Sequence, residues 1–134
     1  MAASIPENFQ DLLHKTIVCA LSTVSPNGQP HTVPVWFDFD GTNIRVNAPA
    51  ATQKAKNMSQ GTKVSVLVVD TAQSNHYVEV RGHIAEVRDE SQGAREHINS
   101  LSARYLGNPV YPGFGNSNLN RIMYVIEPDK VTGQ

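Results

Sequence analysis

The chain has 134 residues, 40% of them hydrophobic, and a formal net charge of −1, the composition of one globular domain, residues 1–134, with a modest core. Eleven basic against twelve acidic side chains leave no cationic excess, which disfavours nucleic acid as a partner. No apolar run reaches the ~20 residues that span a bilayer, and the first ten residues lack the basic head and apolar core of an export signal. A cytoplasmic protein without a membrane partner is expected. Cys19 is the one cysteine, so no intrachain disulfide forms, and its apolar neighbours predict a buried thiol.

In chain order, Phe9, Leu12 and Leu13 lie at helical spacing after Pro6 and Glu7, which predicts a short opening helix. Thr16 to Val24 is β-branched and apolar and ends at Ser25-Pro26-Asn27-Gly28, a hairpin turn. The return strand runs from about Gln29 to Phe39, turns at Asp40-Gly41-Thr42-Asn43, and continues as Ile44-Arg45-Val46-Asn47 in strand period. Thr52 caps one or two helical turns that carry Lys54 and Lys56. Lys63 to Val69 reads as a buried strand, and His76 to Arg88 as a long one bent at Gly82. Ala94, Ile98, Leu101 and Tyr105 mark an amphipathic helix over Ser91 to Leu106, closed by Gly107. Residues 108–118 form a loop, and Arg121 to Glu127 a last strand ended by Pro128. About six antiparallel strands with peripheral helices make a mainly β fold, a barrel rather than a parallel α/β sheet.

The five histidines show no zinc-binding spacing, and no nucleophile elbow is present, so neither a metal site nor a hydrolase triad is expected. Asp38 and Asp40 flank a turn and read as turn acids. Two elements carry chemistry. The small-residue loop Ala48-Pro49-Ala50-Ala51 leads into Thr52 and Lys54, so a hydroxyl, helix N-terminal N–H groups and lysines fall within one turn, the components of a phosphate site. The alternative is a solvated helix with two surface lysines. The strand Thr32-Val33-Pro34-Val35-Trp36 contains a proline that removes a ladder donor, which marks an edge able to face a planar ligand; the alternative is a plain edge strand with Trp36 in the core.

At these elements, and through Pro26-Asn27-Gly28-Gln29-Pro30, Lys63-Val64-Ser65-Val66, Tyr77-Val78-Glu79-Val80-Arg81-Gly82, Ala103-Arg104-Tyr105-Leu106-Gly107 and Ile126-Glu127-Pro128-Asp129-Lys130-Val131, the chain resembles a known family. It is similar to the split β-barrel flavin and deazaflavin oxidoreductases related to pyridoxamine 5′-phosphate oxidase. The Tyr-x-Glu-x-Arg-Gly strand and the Arg-Tyr-Leu-Gly helix end most resemble the short-chain branch that uses coenzyme F420. The resemblance implies a homodimer with a cofactor groove at the subunit interface, the ring against the proline-bearing strand and the phosphate at the helix start. Carried over by position, Lys54 is the expected phosphate ligand, with Thr52, Gln53 and Asn57 beside it. Val33, Pro34, Val35 and Trp36 line the ring, and Asn47 and Ala48 lie near the cofactor's side chain. Many relatives place a cation immediately before the matching lysine, where this chain has Gln53.

The implied cofactor is F420, with FMN as the alternative, and the implied reaction is hydride transfer with a small conjugated or aromatic substrate of quinone, nitro or tetrapyrrole type. A pyridoxamine 5′-phosphate oxidase-like FMN enzyme and a non-catalytic carrier are the other readings. Such chemistry belongs to the cofactor and needs no protein nucleophile. Tyr77, His76 and Tyr111 are candidate proton donors.

Overall fold

A computed structural model describes residues 2–113 and 118–134. Seven antiparallel strands form one sheet: β1 Cys19–Val24, β2 Pro30–Val35, β3 Phe37–Phe39, β4 Ile44–Pro49, β5 Lys63–Val69, β6 Tyr77–Arg88 and β7 Arg121–Gly133. Their order is β2-β1-β5-β6-β7-β4-β3. The two edge strands are thus consecutive in sequence, separated only by Trp36. A sheet whose opposite edges are joined by one residue must curl upon itself, and Trp36 marks the seam of a split β-barrel. The helices α1 Gln10–His14, α2 Gln53–Lys56 and α3 Ala94–Leu106 lie outside the sheet. Among the described residues no helix is long and apolar enough to cross a membrane.

The first hairpin forms as its turn residues dictate. Gly28 takes φ +86°, Ser25 O accepts from Gly28 N at 2.8 Å, and Cys19 pairs with Val35. The expected strand to Phe39 divides at Trp36: β2 stays with β1, whereas β3 crosses to pair with β4. The Asp40 turn is held by its own Oδ1, which accepts from Thr42 N at 2.9 Å and Asn43 N at 2.7 Å. Asp38, read as a second turn acid, instead points to Arg45 and His97. Pro128 does not end the last strand, which continues to Gly133. It pairs with Gly82 where the β6/β7 register shifts, and a bulge accommodates the missing N–H donor.

Alternation along β1, β4, β5 and β6 directs Leu21, Ile44, Val46, Val66, Val68, Val80 and Ile84 into the barrel core together with Phe37. Leu12 and Leu13 of α1 plug one part of that core. Glu90–Gln92 form a separate 3₁₀ turn, and Gly93 at φ +112° separates it from α3. Ala94, Ile98 and Leu101 of α3 are buried as their spacing predicts. This packing sets α3 beside β4 and β7 and creates the wall of a cavity.

Candidate functional site

A cavity of about 440 Å³ opens at the barrel seam, within the ~300–1,000 Å³ usual for ligand sites. Val18, Pro34, Val35 and Trp36 form one wall, and Ile98, Leu101 and Tyr111 another. Asn47, Pro49, Thr52, Lys54 and Arg121 supply its polar end. One surface therefore carries an apolar, aromatic region and two cations.

The aromatic region is built around Trp36. Its ring stacks on Tyr105 at 5.2 Å with an interplanar angle of 8° and meets Tyr111 edge-on at 5.9 Å. Such pairs contribute about 0.5–1.5 kcal/mol beyond area burial. Tyr105 anchors the stack: its hydroxyl donates to Ile17 O at 2.7 Å and accepts from Phe37 N at 3.2 Å. Tyr105 comes from α3, so the helix pins the chain where β2 gives way to β3. Pro34 suits the edge strand it occupies, because β2 pairs only with β1.

The polar end combines three elements. Thr52 caps α2: its Oγ1 accepts from Ala55 N at 3.4 Å and donates to Pro49 O at 2.8 Å. Lys54 is half-buried, and burial, followed by repulsion from Arg121, pushes its pKa down. Arg121 is 5% exposed. Asn120, at φ +48°, makes the left-handed turn that delivers Arg121 to the start of β7, a conformation asparagine tolerates. Burial lowers the Arg121 pKa as well. Its Nε donates to Asn47 Oδ1 at 2.8 Å, and its guanidinium carbon lies 5.1 Å from the Tyr111 ring centre. Around Arg121 the charge of Arg95 opposes the charged form, whereas Glu90 and the Tyr111 side chain favour it.

Of the residues expected at the site, Pro34, Val35, Trp36, Asn47, Thr52 and Lys54 line this cavity. Val33 lies on a neighbouring shallow groove with Leu67 and Val69. Ala48 is buried in the barrel core. Gln53 donates to Asn57 Oδ1 at 2.8 Å, and Asn57 donates to Thr23 Oγ1 at 3.0 Å, so this pair ties α2 to β1. Lys56 is exposed and does not line the cavity. Of the candidate proton donors, Tyr111 lines the cavity. His76 binds Asp11 and Gln134 O, and Tyr77 borders a separate groove.

Sequence reasoning passed over Arg121, which reads as the first residue of a strand. Its signal is a cation opening the otherwise apolar run Ile122-Met123-Tyr124-Val125-Ile126. It also did not foresee His-carboxylate groups assembled from residues distant in sequence. Asp11, Asp70 and His76, and likewise His83, Glu127 and Asp129, bring ligating atoms within 4.8 Å of one another. Neither group lines the cavity.

A family model described as pyridoxamine 5′-phosphate oxidase matches residues 5–134. Among solved structures, one described as an F420 reductase is 26% identical with a TM-score of 0.82, over 97% of this chain and 100% of that one. General stress protein 26 from Bacillus anthracis is 22% identical with a TM-score of 0.66, over 93% of this chain and 89% of that one. HupZ from Group A Streptococcus is 18% identical with a TM-score of 0.63, over 95% of this chain and 91% of that one; the last two speak to the fold alone. No curated protein matches the chain.

Proposed function

The chain belongs to the pyridoxamine 5′-phosphate oxidase family, and from that premise we propose that it is an oxidoreductase that binds FMN in the cavity at the barrel seam. The observation that carries this reading is the placement of an aromatic wall, Trp36 and Tyr111, and two cations, Lys54 and Arg121, on one cavity. A planar ring with a phosphate at one end needs both. When bound, the flavin supplies hydride transfer with a small conjugated or aromatic substrate. The protein's own residues do the rest. Pro34, Val35, Ile98 and Leu101 would exclude water from the ring, Trp36 would offer it an aromatic wall, and Lys54 would neutralise the phosphate. Tyr111 is the candidate proton donor within reach of the cavity.

A second reading, that the cofactor is the deazaflavin F420, is favoured by the likeness to the F420 reductase structure. F420 also carries a phosphate, so Lys54 serves either cofactor.

In the same proposal the working unit is a homodimer. Val18 and Pro34 line both the cavity and the adjoining groove, and Val18, Leu67 and Val69 are exposed at 50%, 37% and 36%. A second copy seated on that face would close the ring end of the cavity. Leu67→Glu would then give monomer in sedimentation, and an unchanged monomeric wild type would refute the dimer.

The functional test uses Trp36, the chain's one tryptophan, as an internal reporter. FMN and F420 are titrated separately into purified protein while its fluorescence is followed. Saturable quenching by FMN at micromolar concentration supports the first reading. Quenching by F420 with no response to FMN supports the second, and no response to either refutes both.

A further inference from the structure

The chain has five lysines, and one of them stands apart. Lys15, Lys56, Lys63 and Lys130 are exposed, whereas Lys54 is half-buried and lines the cavity at the barrel seam. Lys54 makes no hydrogen bond or ion pair with any described residue. Lys15, by contrast, donates to Asp70 Oδ2 at 3.0 Å. Among the described residues no carboxylate lines the cavity, so its wall supplies no counter-ion to hold the amine protonated. The titratable groups that share the cavity with Lys54 are Arg121 of β7 and Tyr111 of the loop after α3. Burial, and then the charge of Arg121, push the Lys54 pKa down. A lysine that is dehydrated and set beside another cation is the kind that becomes a nucleophile near neutral pH. The same cavity offers a flat apolar wall from Pro34, Trp36 and Ile98.

We propose that Lys54 is a covalent capture site for aromatic aldehydes, with the ring against the Trp36 wall and the carbonyl carbon at Nζ. The reaction needs no oxidant or reductant. The Nζ lone pair forms a C–N bond to the carbonyl carbon, and a proton passes from the nitrogen to the carbonyl oxygen to give a carbinolamine. The C–O bond then breaks, the hydroxyl leaves with the second nitrogen hydrogen as water, and an imine remains. Apolar side chains on the wall limit the water that would hydrolyse it. This inference goes beyond the cofactor proposal and does not depend on it: the ammonium form of Lys54 suits an oxyanion, the neutral form attacks an aldehyde, and one cavity cannot hold both ligands.

The test treats the purified protein with salicylaldehyde and cyanoborohydride, which reduces any imine to a stable amine, and locates the adducts by peptide mass mapping. Lys54 is expected to be labelled about tenfold faster than any other lysine at pH 7, a preference that disappears in urea. Its rate should level off below the pH usual for a lysine amine, the direction a lowered pKa dictates. Propanal, which has no ring to lie on Trp36, should show a smaller preference for Lys54. Lys54→Arg keeps a cation but removes the nucleophile, and should leave only the slow labelling of the exposed lysines; if that variant fails to fold, the wild-type map decides alone. Labelling spread evenly over the five lysines, or a preference that survives in urea, overturns the inference. Equal preference with propanal overturns the aromatic ligand class. FMN, if it fills the cavity, should slow labelling at Lys54 several-fold and spare Lys56. Capture at Lys54 that FMN does not slow counts against the cofactor proposal and leaves this inference standing, whereas a protein that binds FMN but shows no selective capture refutes this inference alone.

Discussion

His97 of α3 and Asp38 of β3 meet with Nε2 3.1 Å from Oδ1, although 59 residues separate them. The contact joins the outer helix to the edge strand that flanks Trp36. Because Arg45 grips the same carboxylate from β4, three elements converge on one partly buried acid.

That acid gives the protein a defined acid limb. Burial by itself would raise the Asp38 pKa, but hydrogen bonds from His97 and Arg45 outweigh it and hold the carboxyl at about 2, against an ordinary 3.8. The folded value lies below the unfolded one, so the contribution is fully present above pH 3.8 and is lost as pH falls toward about 2. Partial solvent contact keeps it to at most about 2 kcal/mol. Asp38→Asn should lower stability at neutral pH and flatten the stability profile between these two values. Urea midpoints that fall in parallel for both proteins over this range would rule the assignment out.

At the barrel seam, Tyr105→Phe retains the ring that stacks on Trp36 and removes only the hydroxyl shared by Ile17 O and Phe37 N. The expected cost is about 1–2 kcal/mol, since the backbone N–H of the buried Phe37 loses its partner. The Trp36 emission maximum should shift as the seam loosens. Wild-type stability in this variant would show that the hydroxyl does not hold the seam.

Gly82 permits the close β6/β7 crossing at Pro128. A Cβ built there collides with the backbone oxygen of Glu127 and lies 3.0 Å from Ile126 Cγ2. Backbone cannot rotate away as a flexible side chain can, so Gly82→Ala should destabilise by about 2–3 kcal/mol. Denaturant unfolding measures this, and a loss below about 0.5 kcal/mol would contradict the steric account.

Cys19 is 1% exposed, and burial pushes its thiol up to about 12. The thiolate required for attack is therefore scarce near neutral pH. A disulfide reagent should label the native protein no faster than it unfolds and label it at once in denaturant. Rapid labelling of folded protein would place the thiol in a different environment.

The two lysines of α2 should differ sharply. Lys54 lines the cavity and Lys56 does not. Lys54→Ala is expected to raise the Kd for FMN by about tenfold, from loss of a charge-assisted contact worth roughly 1.5–3 kcal/mol. Lys56→Ala should leave it unchanged, and equal effects would assign both to general surface charge.

Much of the secondary structure was legible because its signals are local. The turn residues Pro26, Asn27 and Gly28 set the first hairpin, alternation marked Lys63–Val69, and the Ala94, Ile98, Leu101 spacing marked the buried face of α3. Where the expectation went astray, a distant partner had overruled the local rule. Pro128 would end an isolated strand, yet the bulge opposite Gly82 lets β7 continue. Asp38 and Asp40 look alike beside one turn, yet only Asp40 caps it, because His97 and Arg45 claim the other carboxylate.

The nearly neutral, weakly charged composition by itself determined that any anion site must be local, and the proline strand and the Thr52-Lys54 turn marked where part of it lies. Tertiary structure alone decided that Trp36 is a seam, that Val33, Ala48, Gln53 and Asn57 do not line the cavity, and that Arg121 joins Lys54 there. Strand period and turn chemistry are properties of neighbours along the chain. The meeting of Lys54 with Arg121 depends on α2 and β7 packing around β4, which no local pattern encodes.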